Sequence, residues 1–143
     1  MIEFPCKIDC GCGNFKKEGF IGIDKDNIAD IVWDATNGLP LPDNSVSELY
    51  TSHFLEHLMP VDIHFVLLEI FRVCQNGATV EIRVPYYDTP EGGLPCHYSK
   101  LDKNFIDGIG IWVHDEKAGK WQKEDIRIEG YTLIGIFKII KNI

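Results

Sequence analysis

A glycine pair near the amino terminus is the first place where the chain could hold a small ligand. Gly11 and Gly13 directly follow residues 6–10, an apolar run typical of a buried strand. Glycines at a strand end let the backbone turn tightly and approach a ligand closely. The dinucleotide-binding pattern has a third glycine where Lys16 stands here. The pair therefore predicts a ligand-binding loop without identifying the ligand.

The segment after the glycines argues against a ligand with phosphate groups. Only residues 14–19 separate the loop from the next apolar run, which leaves no room for a normal helix. A pyrophosphate is commonly bound at the N-terminus of a helix. The sequence therefore favours a nucleoside over a dinucleotide.

Three aspartates fall at the ends of predicted strands. Asp24 ends residues 19–24, Asp34 ends residues 29–34, and Asp9 lies just before the glycines. Each alone has an ordinary explanation, because aspartate often forms turns at strand ends. Together they favour a ligand site, with Asp24 accepting hydrogen bonds from ribose hydroxyls. We expect Asp34 to accept from an adenine amino group and Asp9 to face an amino group elsewhere on the ligand.

The motif HFLEH, from His53 to His57, offers a different chemistry. It fits the H-x-x-E-H pattern of inverted zinc peptidases, in which both histidines bind zinc and the glutamate, here Glu56, is the base. His53 stands where a strand is expected to end, so a polar loop explains the motif better. A zinc hydrolase is kept as a third alternative, and the acids available as a further ligand are Glu69, Glu81, Glu124 and Glu129.

The five cysteines, at positions 6, 10, 12, 74 and 96, are an odd number. No export signal is visible, so we expect free thiols and a cytoplasmic location. Cys6, Cys10 and Cys12 are clustered, but their spacing differs from the cysteine pairs of metal sites. We expect them to be buried as small apolar side chains and predict no metal among them.

The bulk properties indicate one domain over residues 1–143. The chain is 45% hydrophobic and 25% charged, as in ordinary globular proteins. No apolar run approaches the roughly 20 residues of a membrane span. The net charge of −8 argues against a nucleic-acid partner and suits a cationic ligand.

The elements that must position these residues are mostly strands. Apolar runs predict strands over 6–10, 19–24, 29–34, 46–52 and 79–87, and one or two over 125–143. A helix is predicted from Pro60 to a stop at Asn76-Gly77, because apolar residues recur at helical spacing: Ile63, Val66, Leu67, Ile70, Phe71 and Cys74. The spacing of Ser99 and Asp102 predicts the cap of a second helix. This pattern predicts an open, mostly parallel α/β sheet that binds ligands at the carboxyl ends of its strands.

Three segments resemble the class I S-adenosylmethionine-dependent methyltransferase superfamily. They are KIDCGCGNFKKEGFIGID, DIVWDATNGLPLPDNSVSELYTSHFLEHL and EIFRVCQNGATVEIRVPYY, and the resemblance covers about residues 6 to 87. It implies a Rossmann-like methyltransferase fold with a mostly parallel open sheet and an antiparallel C-terminal strand. It implies S-adenosylmethionine as the cofactor, and its cofactor positions fall on Asp9, Gly11, Cys12, Gly13, Asp24, Asp34, Ala35, Ser52 and His53.

The chain also departs from the family pattern. A helix after the glycine loop is missing, QNG replaces the usual PGG turn, and few residues precede the first strand to cap the cofactor. The C-terminal part is short, so we expect less than the full seven-stranded sheet.

Methyl transfer from a sulfonium is an in-line displacement in which the protein mainly positions the acceptor. A base is needed only if the acceptor must lose a proton, and the candidates are His53, Glu56, His57, Tyr86, Asp88 and His97. We interpret Tyr86 and Tyr87 as cleft wall or core, since the proline-aromatic motif they resemble lacks its leading Asn or Asp.

The sequence thus predicts a methyltransferase acting on a small-molecule or protein acceptor. The alternative is an S-adenosylmethionine-binding module without independent activity. An oligomer is possible under either prediction, because a second copy could supply a missing lid.

Overall fold

The computed structural model describes residues 1–86, 89–113 and 117–142, which form one seven-stranded sheet and two α-helices. The strands are β1 (Cys6–Cys10), β2 (Ile21–Asp24), β3 (Ile31–Val32), β4 (Val46–Ser52), β5 (Cys74–Pro85), β6 (Gly119–Glu129) and β7 (Thr132–Lys141). The helices are α1 (Pro60–Val73) and α2 (Lys103–Trp112). Neither helix is long and apolar enough to cross a membrane.

The sheet has the order β3-β2-β1-β4-β5-β7-β6. Strands β1 to β5 are parallel to one another, whereas β7 pairs antiparallel with β5 and β6 antiparallel with β7. The predicted fold class is therefore confirmed. The expectation of fewer than seven strands is wrong. Seven strands fit in this short chain because residues 11–20 form turns instead of a helix and β3 has only two residues.

Helix α1 begins at Pro60 as predicted but ends at Val73, before the expected stop at Asn76-Gly77. Strand β5 starts directly at Cys74, which pairs with Val46 of β4, and the pairing with β4 then resumes only at Thr79. Residues 75–78 are therefore an irregularity inside β5. A glycine after an asparagine signals a helix end and a bulge equally well, and here long-range pairing decides between them.

The cap of helix α2 is Asp102, whose carboxylate accepts a hydrogen bond from the backbone N–H of Phe105. Ser99 does not cap this helix as its spacing suggested. It lies buried, and its hydroxyl donates to the carbonyl oxygen of Leu58 at 2.6 Å. Ser99 therefore ties the segment before α2 to the loop after β4.

Both helices lie on the same face of the sheet, because residues of α1 and α2 line one apolar cavity of about 410 Å³. Buried strand residues such as Ile8, Leu49 and Ile82 point toward this helical layer. On the other face, most alternating positions of β1, β4 and β5 are polar and partly exposed, and they form the ion pairs Lys7–Glu48 and Arg83–Glu81. Parallel sheets are usually covered on both faces, so the large solvated face is a distinctive property of this chain.

Candidate functional site

The candidate site lies where the carboxyl ends of β1, β2 and β4 meet. The chain runs outward from β1 through β2 to β3 and then returns to β4 on the other side of β1. This arrangement makes the gap between β1 and β4 a topological switch point, where open α/β sheets bind ligands. The loops that follow these strands carry the glycine pair, Asp24 and the HFLEH motif.

The glycine loop is fixed to the end of β2 by hydrogen bonds. The N–H of Gly11 donates to the carbonyl oxygen of Ile23 at 2.7 Å, and the N–H of Gly13 donates to Oδ2 of Asp24 at 2.9 Å. Both glycines have positive φ, +71° and +51°, in the region that side chains rarely adopt. No helix follows the loop, as the short spacing predicted.

Two cavities of about 320 Å³ each adjoin the glycine loop. The first, which we call the Asp24 cavity, is lined by residues that include Asp24, Asp34, Ala35 and Trp33. The second, the Asp9 cavity, is lined by Asp9, Gly11, Cys12, Gly13, Asn14, Phe15, Tyr50, Ser52 and His53. The cavities share Gly11, Gly13 and His53, and between them they include every predicted cofactor residue.

The two acids of the Asp24 cavity also shape its walls. Asp24 accepts hydrogen bonds from the N–H groups of Gly13 and Asp26, so it orders the loop beside it. Asp34 caps the short turn that contains Thr36, and hydrogen bonds from the Thr36 hydroxyl and N–H lower the pKa of Asp34. Each carboxylate keeps lone pairs free for further donors, since an ionised carboxylate can accept about four hydrogen bonds.

Asp9 has a different environment, because its side chain is only 2% exposed. It accepts a hydrogen bond from the N–H of Lys17 at 2.8 Å. Burial raises the pKa of Asp9, although the Lys17 hydrogen bond opposes this shift. Asp9 therefore holds the segment after the glycines in place and also faces the second cavity.

Four of the six candidate bases, His53, Glu56, His57 and His97, lie together at the edge of the Asp24 cavity. Nδ1 of His53 is 3.7 Å from Oε2 of Glu56, and this interaction, with help from Glu91 at 3.6 Å, raises the pKa of His53. Glu56 is 1% exposed, and neither of its side-chain oxygens has a hydrogen-bond partner. Nε2 of His57 lies 4.0 Å from the same Glu56 oxygen, and the rings of His57 and His97 are 4.8 Å apart.

The zinc-peptidase interpretation of HFLEH is wrong in its geometry. Only Leu55–His57 form a short 3-10 turn, while His53 precedes the turn with a φ of +54°. The motif is therefore not one helical face. The acids considered as further ligands have partners elsewhere, since Glu69, Glu81, Glu124 and Glu129 bond to Arg72, Arg83, Gln122 and Arg127.

Tyr86 lines neither cavity. Tyr86 packs against the core, whereas Tyr87 and Asp88 lie outside the described residues. All five cysteines are free, and all except Cys96 are buried. The clustered cysteines are therefore buried as expected, and burial raises the pKa of Cys10 to about 12.

A hydrogen-bonded pair that sequence reasoning missed supports the wall of the Asp24 cavity. Arg72 of α1 donates to Glu69, to the carbonyl oxygens of Leu39 and Leu41, and to Asp43. Glu69 in turn accepts from the N–H of Leu39. The pair fixes the segment after the Asp34 turn. The E-x-x-R spacing on a predicted helix could have indicated this pair in the sequence.

Comparison with known proteins agrees with this geometry. No protein-family model and no curated protein matches the sequence. A methyltransferase dependent on S-adenosylmethionine (SAM) from Archaeoglobus fulgidus is similar in structure, with a TM-score of 0.70 at 18% identity over 92% of this chain and 85% of its own. Another from Methanosarcina mazei has a TM-score of 0.73 at 13% identity, over 99% of this chain and 95% of its own.

A third similar structure is a complex between the Haloferax volcanii Trm112 methyltransferase activator and a methyltransferase. It has a TM-score of 0.68 and 13% identity over 99% of this chain and 85% of the matched chain. Identities this low establish the fold and nothing finer. Together with the seven-stranded sheet, these similarities show that the chain has the Rossmann-like fold of class I SAM-dependent methyltransferases.

Proposed function

We propose that this chain binds SAM and transfers its methyl group to a small-molecule or protein acceptor. The observation that carries the proposal is the convergence of the predicted cofactor residues on two adjoining cavities at the switch point of this fold. The absence of a helix in residues 11–20 adds support, because the site then favours a nucleoside without phosphates.

The chemistry of the two cavities fits the two ends of such a cofactor. In the Asp24 cavity, the free lone pairs of Asp24 would accept the ribose hydroxyls, and Asp34 with Ala35 would face the adenine. In the Asp9 cavity, the carboxylate of Asp9 and the hydroxyl of Ser52 would face the amino-acid end. The net charge of −8 suits a cationic sulfonium.

The junction of the cavities is where the transfer would occur. SAM supplies an electrophilic methyl group, and the protein's task is to align the acceptor with it. His53 lines both cavities and therefore faces this junction. We assign His53 the role of receiving a proton from an acceptor that must lose one, with Glu56 orienting its ring.

Calorimetric titration with SAM and with its product S-adenosylhomocysteine tests the binding half of the proposal. Wild-type protein should bind both, and Asp24→Ala should weaken binding about tenfold or more through lost charge-assisted hydrogen bonds. The matched control is Asp26→Ala, because Asp26 is close in sequence but does not line either cavity. Wild-type protein that binds neither ligand would overturn the proposal.

A second function, a SAM-binding module whose activity depends on a partner, is supported by an apolar edge. Ile28, Val32 and Trp33 are 59%, 53% and 42% exposed in and around the edge strand β3, and Trp33 also lines the Asp24 cavity. One of the similar structures is itself a complex with a methyltransferase activator. Measuring S-adenosylhomocysteine formation by the isolated chain over a broad panel of acceptors distinguishes the two functions, since a pure module binds SAM without turnover.

A further inference from the structure

A cluster of metal-binding side chains lies next to the Asp24 cavity. His57, Cys96 and His97 each present a ligand atom, and these atoms lie within 4.8 Å of one another. The three residues come from two distant segments, the 3-10 turn after β4 and the segment before α2. We propose that His57, Cys96 and His97 bind one divalent transition-metal ion of the zinc class.

The segment that carries Cys96 and His97 is held against the turn by specific hydrogen bonds. The N–H of Ser99 donates to the carbonyl oxygen of Glu56 at 3.0 Å, and the Ser99 hydroxyl donates to Leu58. These bonds flank His57 in sequence, so they fix the distance between the two ligand-bearing segments. The cluster is therefore a product of the fold and not of two freely moving loops.

Two buried polar side chains at the cluster lack hydrogen-bond partners, and a bound metal ion would account for this. His97 is 8% exposed, and its Nδ1 is buried without a hydrogen-bond partner. Glu56 is buried with no hydrogen bond to either side-chain oxygen, and its Oε2 lies 3.7 Å from Nδ1 of His53 and 4.0 Å from Nε2 of His57. Buried polar groups normally find partners, and an ion would engage the histidine and place a positive charge beside the carboxylate.

The donor set determines the class of ion. Two imidazoles and a thiolate are the ligands of zinc and similar transition metals, whereas magnesium and calcium prefer oxygen. Tetrahedral zinc sites place ligand atoms roughly 3.3–3.8 Å apart, given bond lengths of about 2.0–2.3 Å. His57 and Cys96 are exposed, so rotation of their side chains can close the present spacing. Three protein ligands leave a fourth position for water.

The proposal stands apart from SAM binding, although His57 also lines the Asp24 cavity. Cofactor titration of metal-free and zinc-loaded protein separates them. SAM binding without zinc binding overturns the metal site alone, and zinc binding without SAM binding overturns the proposed function alone.

The test uses the full chain, freed of metal with a chelator under reducing conditions. Titration with Zn²⁺ against a chromophoric chelator should give one ion per chain, released by acid as the thiol and imidazoles take up protons. Titration with Co²⁺ should give a thiolate-to-cobalt charge-transfer band. Cys96→Ser should abolish this band and weaken zinc binding roughly a hundredfold, the upper end of what the loss of an outer-shell partner costs.

His97→Ala should weaken zinc binding similarly, and the matched control is His64→Ala, since His64 is exposed on α1 and outside the cluster. Cys96 is exposed, so its replacement leaves the core intact, and circular dichroism of the metal-free variants checks their folding. The proposal fails if the wild-type chain binds no zinc, or if Cys96→Ser keeps both the cobalt band and the zinc affinity.

Discussion

Replacement of Gly11 by alanine tests how the glycine loop is built. A Cβ atom added at Gly11 would overlap Cγ of the Phe54 ring and lie 2.6 Å from Cβ of Phe54. Carbon atoms in van der Waals contact are about 3.5–4.0 Å apart, so either Phe54 or the loop must move. Gly13 provides the contrast, because a Cβ there would meet nothing within 4 Å.

The expected magnitudes follow from separating backbone strain from overpacking. Both glycines have positive φ, and alanine in that conformation costs about 1–2 kcal/mol. Overpacking against Phe54 adds about 1–3 kcal/mol at Gly11 alone. We therefore expect Gly13→Ala to lower the free energy of unfolding by about 1–2 kcal/mol and Gly11→Ala by about 2–5 kcal/mol.

The assay is urea unfolding followed by circular dichroism, with free energies from linear extrapolation. A double-mutant cycle isolates the clash: in a Phe54→Gly background, which removes Cβ as well as the ring, Gly11→Ala should cost only the backbone strain of about 1–2 kcal/mol. The reasoning is refuted if Gly11→Ala costs the same in both backgrounds, or if Gly11→Ala and Gly13→Ala are equally destabilising in the wild-type chain.

The remaining predictions concern the Glu69–Arg72 pair. Arg72→Met should lower the free energy of unfolding by about 2–3 kcal/mol, because several charge-assisted hydrogen bonds from a partly exposed side chain are lost; equal stability in urea would contradict this. The hydrogen bond from Arg72 lowers the pKa of Glu69 below its usual 4.5, so this stability is present above pH 4.5 and is lost as the pH falls through the folded-state pKa. The difference between wild type and Arg72→Met should therefore shrink in acid, and a difference that stays constant from neutral pH to pH 3 would refute the assignment.

The sequence predicted the central strands well because their boundaries carry local signals. β1 and β4 have the predicted bounds, since each combines buried apolar residues with an end at turn-forming residues. The candidate site could be assembled from the same information, because the carboxyl ends of parallel strands meet at one edge of the sheet. Asp9 could thus be assigned to this edge, whereas Ser52 was assigned to it by the resemblance to methyltransferases, and both line the Asp9 cavity.

The start of β5 could not be predicted from local sequence. The local signals favoured a longer helix, whereas the start of the strand is set by pairing with the distant strand β4. Cys74 continues the helical periodicity of α1, yet it pairs with Val46 and belongs to β5. Similarly, no local pattern places Cys96 beside His57. Their proximity depends on hydrogen bonds from Ser99 to the turn after β4, at a separation of about 40 residues that periodicity does not register.

The solvated face of the sheet can be recognised in the sequence from a polar alternation that is unusual for parallel strands. In β4, the outward positions Glu48 and Tyr50 alternate with buried Leu49 and Thr51, as in a strand with one wet face. Parallel strands are expected to be apolar on both faces because helices usually cover both. Here residues 11–20 form no helix to cover this face, and the polar alternation in β4 agrees with that.

The loop over residues 11–20, which stands in place of a helix, covers part of the sheet beside β1. Lys17 donates its N–H to Asp9, and its ammonium lies 4.5 Å from the ring centroid of Tyr50. Cys12 packs over β2 at Gly22, where an added Cβ would lie 2.6 Å from the Cys12 sulfur. Asp9 is thus almost fully buried on the face that carries the exposed ion pair Lys7–Glu48. One short segment therefore both covers the sheet beside β1 and forms the wall of the Asp9 cavity, so ligand binding and local stability depend on the same few residues.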